Sequence, residues 1–411
     1  MFRGDACHTG VTRENGPAAL HGTKWTFATG GRILSSPVLD RGTLYIGSDD
    51  GALHAVDVVT GKALWKFATG GPVRSTAAVD DGTVYFGSYD GRIYAISGDK
   101  GELRWKFTTG GERRFEAKSL HSSTLATQTT ADPWDCYLSI PVVAEGRVIF
   151  GCGDGQVYAL ETKTGTLAWK FAVGDVVQAS PVFADGRVFV GSWDSRLYAL
   201  DVRTGRELWH FQAGLDPENH TQVGFQSSPA VVDGVVYVGC PDAYLYAIDA
   251  ATGKEKWRFD NHGSRVINSP AVVNGYVLFG TSDTAKIHVV DAATGMLQRS
   301  MQLGSYIFAS PTVADSVAYV GAMNGSLLVF DWEKGVALWE FQTTAARENK
   351  LQVLNPDNSL NPENEIKNEF LDINVLSLER TFNIGSIVSS PLVNSGVVYI
   401  GSTDGNVYAL E

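Results

Sequence analysis

The chain has 411 residues, among them 45 glycines, 14 prolines and 44 aromatic residues (19 Phe, 15 Tyr, 10 Trp). This many glycines and aromatics, without any low-complexity tract, excludes a helical bundle, a collagen-like chain and a disordered chain, and a hydrophobic fraction of 44% suffices for a large core. A net charge of −12 leaves no basic surplus to neutralise phosphates, which disfavours a nucleic-acid or anionic-membrane partner, and no apolar run approaches the ~20 residues that span a bilayer.

The first residues, Met1-Phe2-Arg3-Gly4-Asp5, lack the basic and apolar regions of a signal peptide. The expectation is a cytoplasmic protein, or a periplasmic or envelope protein whose export signal has been removed. The chain then opens on an isolated strand-like run, Trp25-Thr26-Phe27. From there one unit recurs: Ser-Ser-Pro, an Asp-Gly turn, Val-Tyr-Val-Gly-Ser, a second Asp-Gly, Tyr-Ala-Leu-Asp, Thr-Gly, and Trp-x-Phe. Its proline position falls at Pro37, Ala77, Pro141, Pro181, Pro229, Pro270, Pro311 and Pro391, a period of about 40 with insertions.

Each unit holds four strand-like runs, here called a to d. In the fourth unit they are Ala179–Phe183, Val188–Ser192, Leu197–Asp201 and Glu207–Phe211, separated by turns rich in Gly and Asp. Those residues supply the positive φ and the side-chain-to-backbone bonds of tight hairpins. Four short antiparallel strands per 40 residues describe one propeller blade. The Trp position occurs at Trp25, Trp65, Trp105, Trp169, Trp209, Trp257, Arg299 and Trp339, offset from the prolines by one strand. The chain ends at Val407–Glu411, a third strand lacking a fourth. The predicted fold is therefore an all-β, eight-bladed propeller forming one domain over residues 1–411, its ring closed by the Trp25-x-Phe27 strand. Closure of this kind removes an open sheet edge. Arg299 and Met301 replace the two rings in unit six, which predicts a weaker blade contact there.

The Val-Tyr-Val-Gly-Ser … Tyr-Ala-Leu-Asp … Thr-Gly … Trp-x-Phe unit resembles the repeat of the pyrroloquinoline-quinone (PQQ) quinoprotein-like propeller superfamily. The opening Phe2-Arg3-Gly4-Asp5 … His8-Thr9-Gly10 is similar to that of its stand-alone members. The superfamily includes quinoprotein dehydrogenases and also non-catalytic members such as the propeller lipoprotein of the outer-membrane β-barrel assembly machinery. Resemblance implies the fold more directly than an activity. The dehydrogenases hold PQQ beside a ring formed by two adjacent cysteines, and the four cysteines here include no adjacent pair. Their calcium ligands and catalytic Asp match no motif of this chain. The expectation is no cofactor, with PQQ plus calcium as the alternative, and no metal site.

Strand alternation places the a–b and c–d turns on one face and the b–c turns and d–a connections on the other. All three long insertions, at about residues 110–136, 213–224 and 343–384, interrupt d–a connections. Insertions on one face of a rigid scaffold are where binding usually resides. The first carries Arg113, Glu116, Lys118, His121, Trp134 and Asp135; the second carries His220. Histidines beside carboxylates suit metal or acid–base chemistry, but no tight ligand spacing is present. A polar small-molecule or peptide site and self-paired solvated loops remain equally open. Arg74, Gln178 and Gln226 stand three residues before the proline position, where apolar residues stand elsewhere, and Trp193 occupies a b–c turn. Together these eleven residues are the candidate ligand-binding set; no catalytic residue is assigned.

In the third insertion, Asn361-Pro362-Glu363 reads as a helix start, followed by Ile366, Phe370 and Ile373 on one stripe. It reads as a loop tucked on the propeller, a lid or a docking helix. Cys136 and Cys152 fall on adjacent strands of unit three, close enough to pair, although semi-buried thiols are the commoner state. The functional expectation is a monomeric, non-catalytic binding or scaffold protein that takes a protein, peptide or small polar ligand at the channel mouth. The alternative is an enzyme, either a divergent quinoprotein-type oxidoreductase or an acid–base catalyst using the charged loops.

Overall fold

A computed structural model describes residues 3, 5–111, 115–116, 129–130, 138–214, 224–361 and 378–411. Eight blades of four antiparallel strands stand around a central channel, the seventh extended by a fifth, parallel strand, Val11–Thr12. Blade 4 shows the pattern: strand a at Val182–Ala184, b at Arg187–Gly191, c at Arg196–Asp201 and d at Glu207–Gln212. Strand a begins later than the sequence pattern suggests, because Pro181 offers no amide to the ladder. The last blade pairs Leu392–Asn394, Val397–Gly401 and Asn406–Leu410 with Thr23–Ala28 from the other end of the chain. The ring is closed as expected.

Adjacent blades are joined by a repeated lock. Trp25, Trp65, Trp105, Trp169, Trp209 and Trp257 each lie on the c–d turn glycine of the next blade, from Gly61 to Gly295. A Cβ on any of those glycines would come within 2.5–2.7 Å of the indole. Each indole Nε1 also donates to a carbonyl of that next blade, as Trp25 does to Val58 at 3.0 Å and Trp65 to Gly98 at 3.1 Å. The aromatic area and the satisfied N–H act together. The closing strand uses the same lock as the interior strands that carry Trp65, Trp105, Trp169, Trp209 and Trp257.

Blade 6 departs from this. Arg299 cannot form the lock, and Trp332 of blade 7 fills the gap instead. It is 2% exposed, packs 5.7 Å from Tyr276, and donates its Nε1 to the Asp315 carbonyl. The expected weakness at unit six is thus compensated by a tryptophan outside the repeat pattern.

The segment preceding the closing strand forms a strap along the strand-a edges. The carbonyls of Ala6, Cys7, Thr9 and Gly10 accept from the amides of Phe183, Val231, Val272 and Val313, crossing blades 4, 5, 6 and 7 in turn. Val11–Thr12 then pairs in parallel with strand a of blade 7, and Pro17 accepts from Tyr319 and Trp339. Among the described residues no helix is long and apolar enough to cross a membrane.

Candidate functional site

The residues that build the channel are those leading into each strand a. Two places before the proline, a side chain reaches the strand-b glycine of its own blade. Ser35 Oγ accepts from Gly47 N at 2.9 Å, and Ser139, Asn268 and Ser389 do the same for Gly151, Gly280 and Gly401. Those glycines are obligatory for a second reason. A Cβ on Gly47 would lie 2.4 Å from the Val73 carbonyl oxygen, and one on Gly401 would lie 2.4 Å from Ile33 of the next blade.

One place before the proline, the hydroxyls form a belt. The Ser36 amide donates to Thr76 Oγ1 at 2.8 Å, Ser180 to Ser228 at 2.9 Å, Ser228 to Ser269 at 3.1 Å, Ser269 to Ser310 at 3.0 Å, and Ser390 back to Ser36 at 2.9 Å. Ile140 donates to Ser180 at 3.1 Å but has no hydroxyl to accept from blade 2. Each bond satisfies an amide that would otherwise face the channel unpaired. The belt constricts the channel.

Three places before the proline, the side chains surround a chamber of about 50 Å3 on the insertion side of the belt. Arg74, Gln178 and Gln226 all line it, beside Leu34, Phe308 and Val388. Arg74 does not point a lone charge inward. Its guanidinium forks onto Asp49 at 2.8 and 2.9 Å and lies 5.2 Å over the Tyr89 ring. Trp193 is 3% exposed, is not among the chamber-lining residues, and packs against Gly224 where the second insertion rejoins the scaffold. The side chains of Arg113, Glu116, Lys118, His121, Trp134, Asp135 and His220 lie outside the described residues, as do Cys136 and the expected helix from Pro362 with its stripe Ile366, Phe370 and Ile373; Asn361 is described, and its amide donates to the Val353 carbonyl at 2.8 Å.

The mouth carries a larger feature that sequence reasoning missed. A groove of about 560 Å3 runs between blade 8 and the third insertion, lined by Gly31, Arg32, Glu348, Lys350, Leu351 and Asp404 among others. One wall is a short helix, Thr344–Glu348, capped by the Thr343 hydroxyl. The other is held by Arg32, which forks onto Glu379 at 2.9 and 2.6 Å and reaches Asn383 at 3.0 Å. That guanidinium holds the Glu379 carboxyl below its ordinary range. Residues 378–383 are helical and bury Leu378 and Phe382 against Leu34 and Met323. Arg32 was legible only as a charge beside a glycine pair; nothing in the repeat marks its partner 347 positions away.

The aspartates of the b–c turns, although on this face, are structural clips. Asp90, Asp154, Asp194 and Asp242 each accept from the tyrosine four residues on, at 2.5–2.6 Å, and from a d–a glycine amide at 2.8–3.0 Å. Burial, and then the hydrogen bond to its aspartate, pushes the Tyr94 and Tyr198 hydroxyls up to about 12.

A family model described as outer membrane protein assembly factor BamB matches residues 18–133, 122–260 and 241–411. Among solved structures, BamB from Moraxella catarrhalis is similar at 16% identity and a TM-score of 0.70, covering 95% of this chain and 99% of that one. The quinohemoprotein alcohol dehydrogenase from Comamonas testosteroni is similar at 15% identity and a TM-score of 0.68, covering 99% of this chain and 79% of that one. A europium-containing methanol dehydrogenase matches at 13% identity and a TM-score of 0.71, covering 100% of this chain and 97% of that one. No curated protein sequence matches. At these identities the structural likeness establishes the fold alone.

Proposed function

The chain belongs to the outer membrane protein assembly factor BamB family, and we propose that it is a non-catalytic scaffold of the bacterial envelope that docks a protein partner on the face carrying the d–a insertions. The groove beside the third insertion carries this reading. Its size is in the range of roughly 300–1,000 Å3 of ordinary binding sites. Its walls mix both charge signs, through Arg32, Lys350, Glu348 and Asp404, with an exposed Leu351 at the rim. That composition suits a peptide or protein segment better than a small apolar ligand.

The enzyme alternative finds less support among the described residues. The chamber inside the mouth is lined by Arg74, two glutamines, hydroxyls and apolar side chains, with no carboxylate to ligate calcium among its described lining residues. No three His, Cys, Asp or Glu side chains among the described residues gather to hold a divalent cation. These residues do not fit PQQ with calcium, and no catalytic step is derived through it.

A photo-crosslinking residue at Leu351 in the full chain, expressed in envelope-bearing cells, tests the proposal. A discrete adduct with an assembly partner is expected at Leu351, and none at Lys163 on the opposite face. Equal labelling at both positions would overturn the docking face. Dye reduction after incubation with PQQ and calcium would overturn the non-catalytic reading.

A further inference from the structure

We propose that the chamber where the N-terminal strap meets the closing seam of the ring binds a small monovalent anion of halide size, held by Arg3.

The starting observation is a buried cation. Arg3 is 9% exposed, inside the channel. Its Nη2 donates to the Pro270 carbonyl at 2.7 Å and its Nε to the His8 carbonyl at 3.2 Å. Its Nη1 is buried with no partner among the described residues. Asp5 is the carboxylate that acts on it, but both Asp5 oxygens are engaged elsewhere. They accept from the Cys7 amide at 2.9 Å, the Thr9 amide at 3.2 Å and the Thr9 hydroxyl at 2.6 Å. A guanidinium kept from water without an ion pair is costly unless a counter-charge joins it. Burial, partly offset by Asp5, pushes it down to about 9, still charged at neutral pH.

The second observation is a cavity of about 60 Å3 against this side chain. Arg3, Thr12, Ser36, Thr312 and Ser390 supply its polar wall, and Val11, Leu392 and prolines supply the rest. No acidic side chain lines it among the described residues. Ser36 Oγ already accepts from the Ser390 amide, so its hydroxyl hydrogen is available to donate inward. The Thr312 hydroxyl is spent on the Pro391 carbonyl at 2.6 Å, so one cation, the Ser36 hydroxyl and apolar walls remain, a lining that suits a small, weakly hydrated anion such as a halide rather than a nucleotide. The strap is shaped to leave this space. Gly10 has φ +71°, and a Cβ there would sit 2.1 Å from Arg3 Nη2.

The walls come from the strap, from blade 7 (Thr312), from blade 8 (Ser390 and Leu392) and from blade 1 (Ser36). An ion at this point bridges both ends of the ring and is lost when the seam opens. It therefore stabilises closure by mass action.

Two measurements on the full chain decide the matter. Crystals grown in sodium bromide should show an anomalous peak within hydrogen-bond reach of the Arg3 guanidinium. In solution, the midpoint of thermal unfolding should rise with chloride when chloride replaces gluconate at fixed ionic strength. Arg3→Met should abolish that slope while the exposed Arg41→Met retains it. No bromide peak at Arg3, or an identical slope in Arg3→Met, would overturn the proposal. If Arg3→Met does not fold, the bromide peak in the unaltered protein decides alone.

Discussion

His288 stands where five other blades place a tyrosine clipped to an aspartate. In blade 6 the residue four positions earlier is Thr284, and the nearby Asp283 turns instead to the Arg265 amide. His288 is 7% exposed, packed 5.5 and 5.4 Å from Phe259 and Phe279, and its Nδ1 has no partner among the described residues. Burial first, then Lys286 and His262, push its pKa down from the ordinary 6.5 to about 4. A depressed histidine contributes nothing above pH 6.5, where both states are neutral. Stability is lost as pH falls from 6.5, because the unfolded chain takes up a proton that the folded chain refuses; the loss is complete below about 4. At 1.36 kcal/mol per unit, the full loss is about 3 kcal/mol, and about 2 kcal/mol of it is reached at pH 5. His288→Phe removes the titrating group and keeps the ring contacts. Urea unfolding of both proteins at pH 7.5 and pH 5 is the assay. The variant should match or slightly exceed the parent at pH 7.5 and exceed it by about 2 kcal/mol more at pH 5. His8, also buried and pushed down to about 3, titrates identically in both proteins and cancels. A difference between the proteins that does not change with pH would refute the reasoning.

The clips make a second prediction. Asp242→Ala strands both the Tyr246 hydroxyl and the Gly214 amide and should cost about 1–3 kcal/mol, with Tyr246→Phe costing less, both read from denaturant midpoints. Trp332→Ala should cost about 3–5 kcal/mol in the same assay, because it opens the blade 6–7 junction that lacks the repeat tryptophan. Arg32→Gln removes the fork on Glu379 and should raise hydrogen exchange at residues 378–383. Global stability should change by less than about 1 kcal/mol, since Glu379 is about half exposed.

Periodicity carried the blade count, the closing strand and the face of the insertions, because each blade repeats the same turn chemistry every 40 residues or so. The same regularity also exposed Arg74, Gln178 and Gln226, which break an otherwise apolar position and do line one chamber. What periodicity conceals are contacts between a repeat and something outside it. Trp332 is not at a repeat aromatic position, yet it rescues the one blade junction where Arg299 fails. Arg32 is indistinguishable from a solvated charge until the third insertion folds back to place Glu379 against it. Arg3 precedes the repeats altogether, and only the threading of the strap along successive blades from the fourth to the seventh carries its charge into the channel. The serine belt lies between these extremes. Ser-Ser-Pro was visible as a motif, but a hydroxyl accepting from its neighbour's amide depends on the radius of the ring, which no single repeat encodes. Such longer-range pairings converge on the insertion face and the closing seam, so a change there is expected to alter binding or closure before it alters the fold.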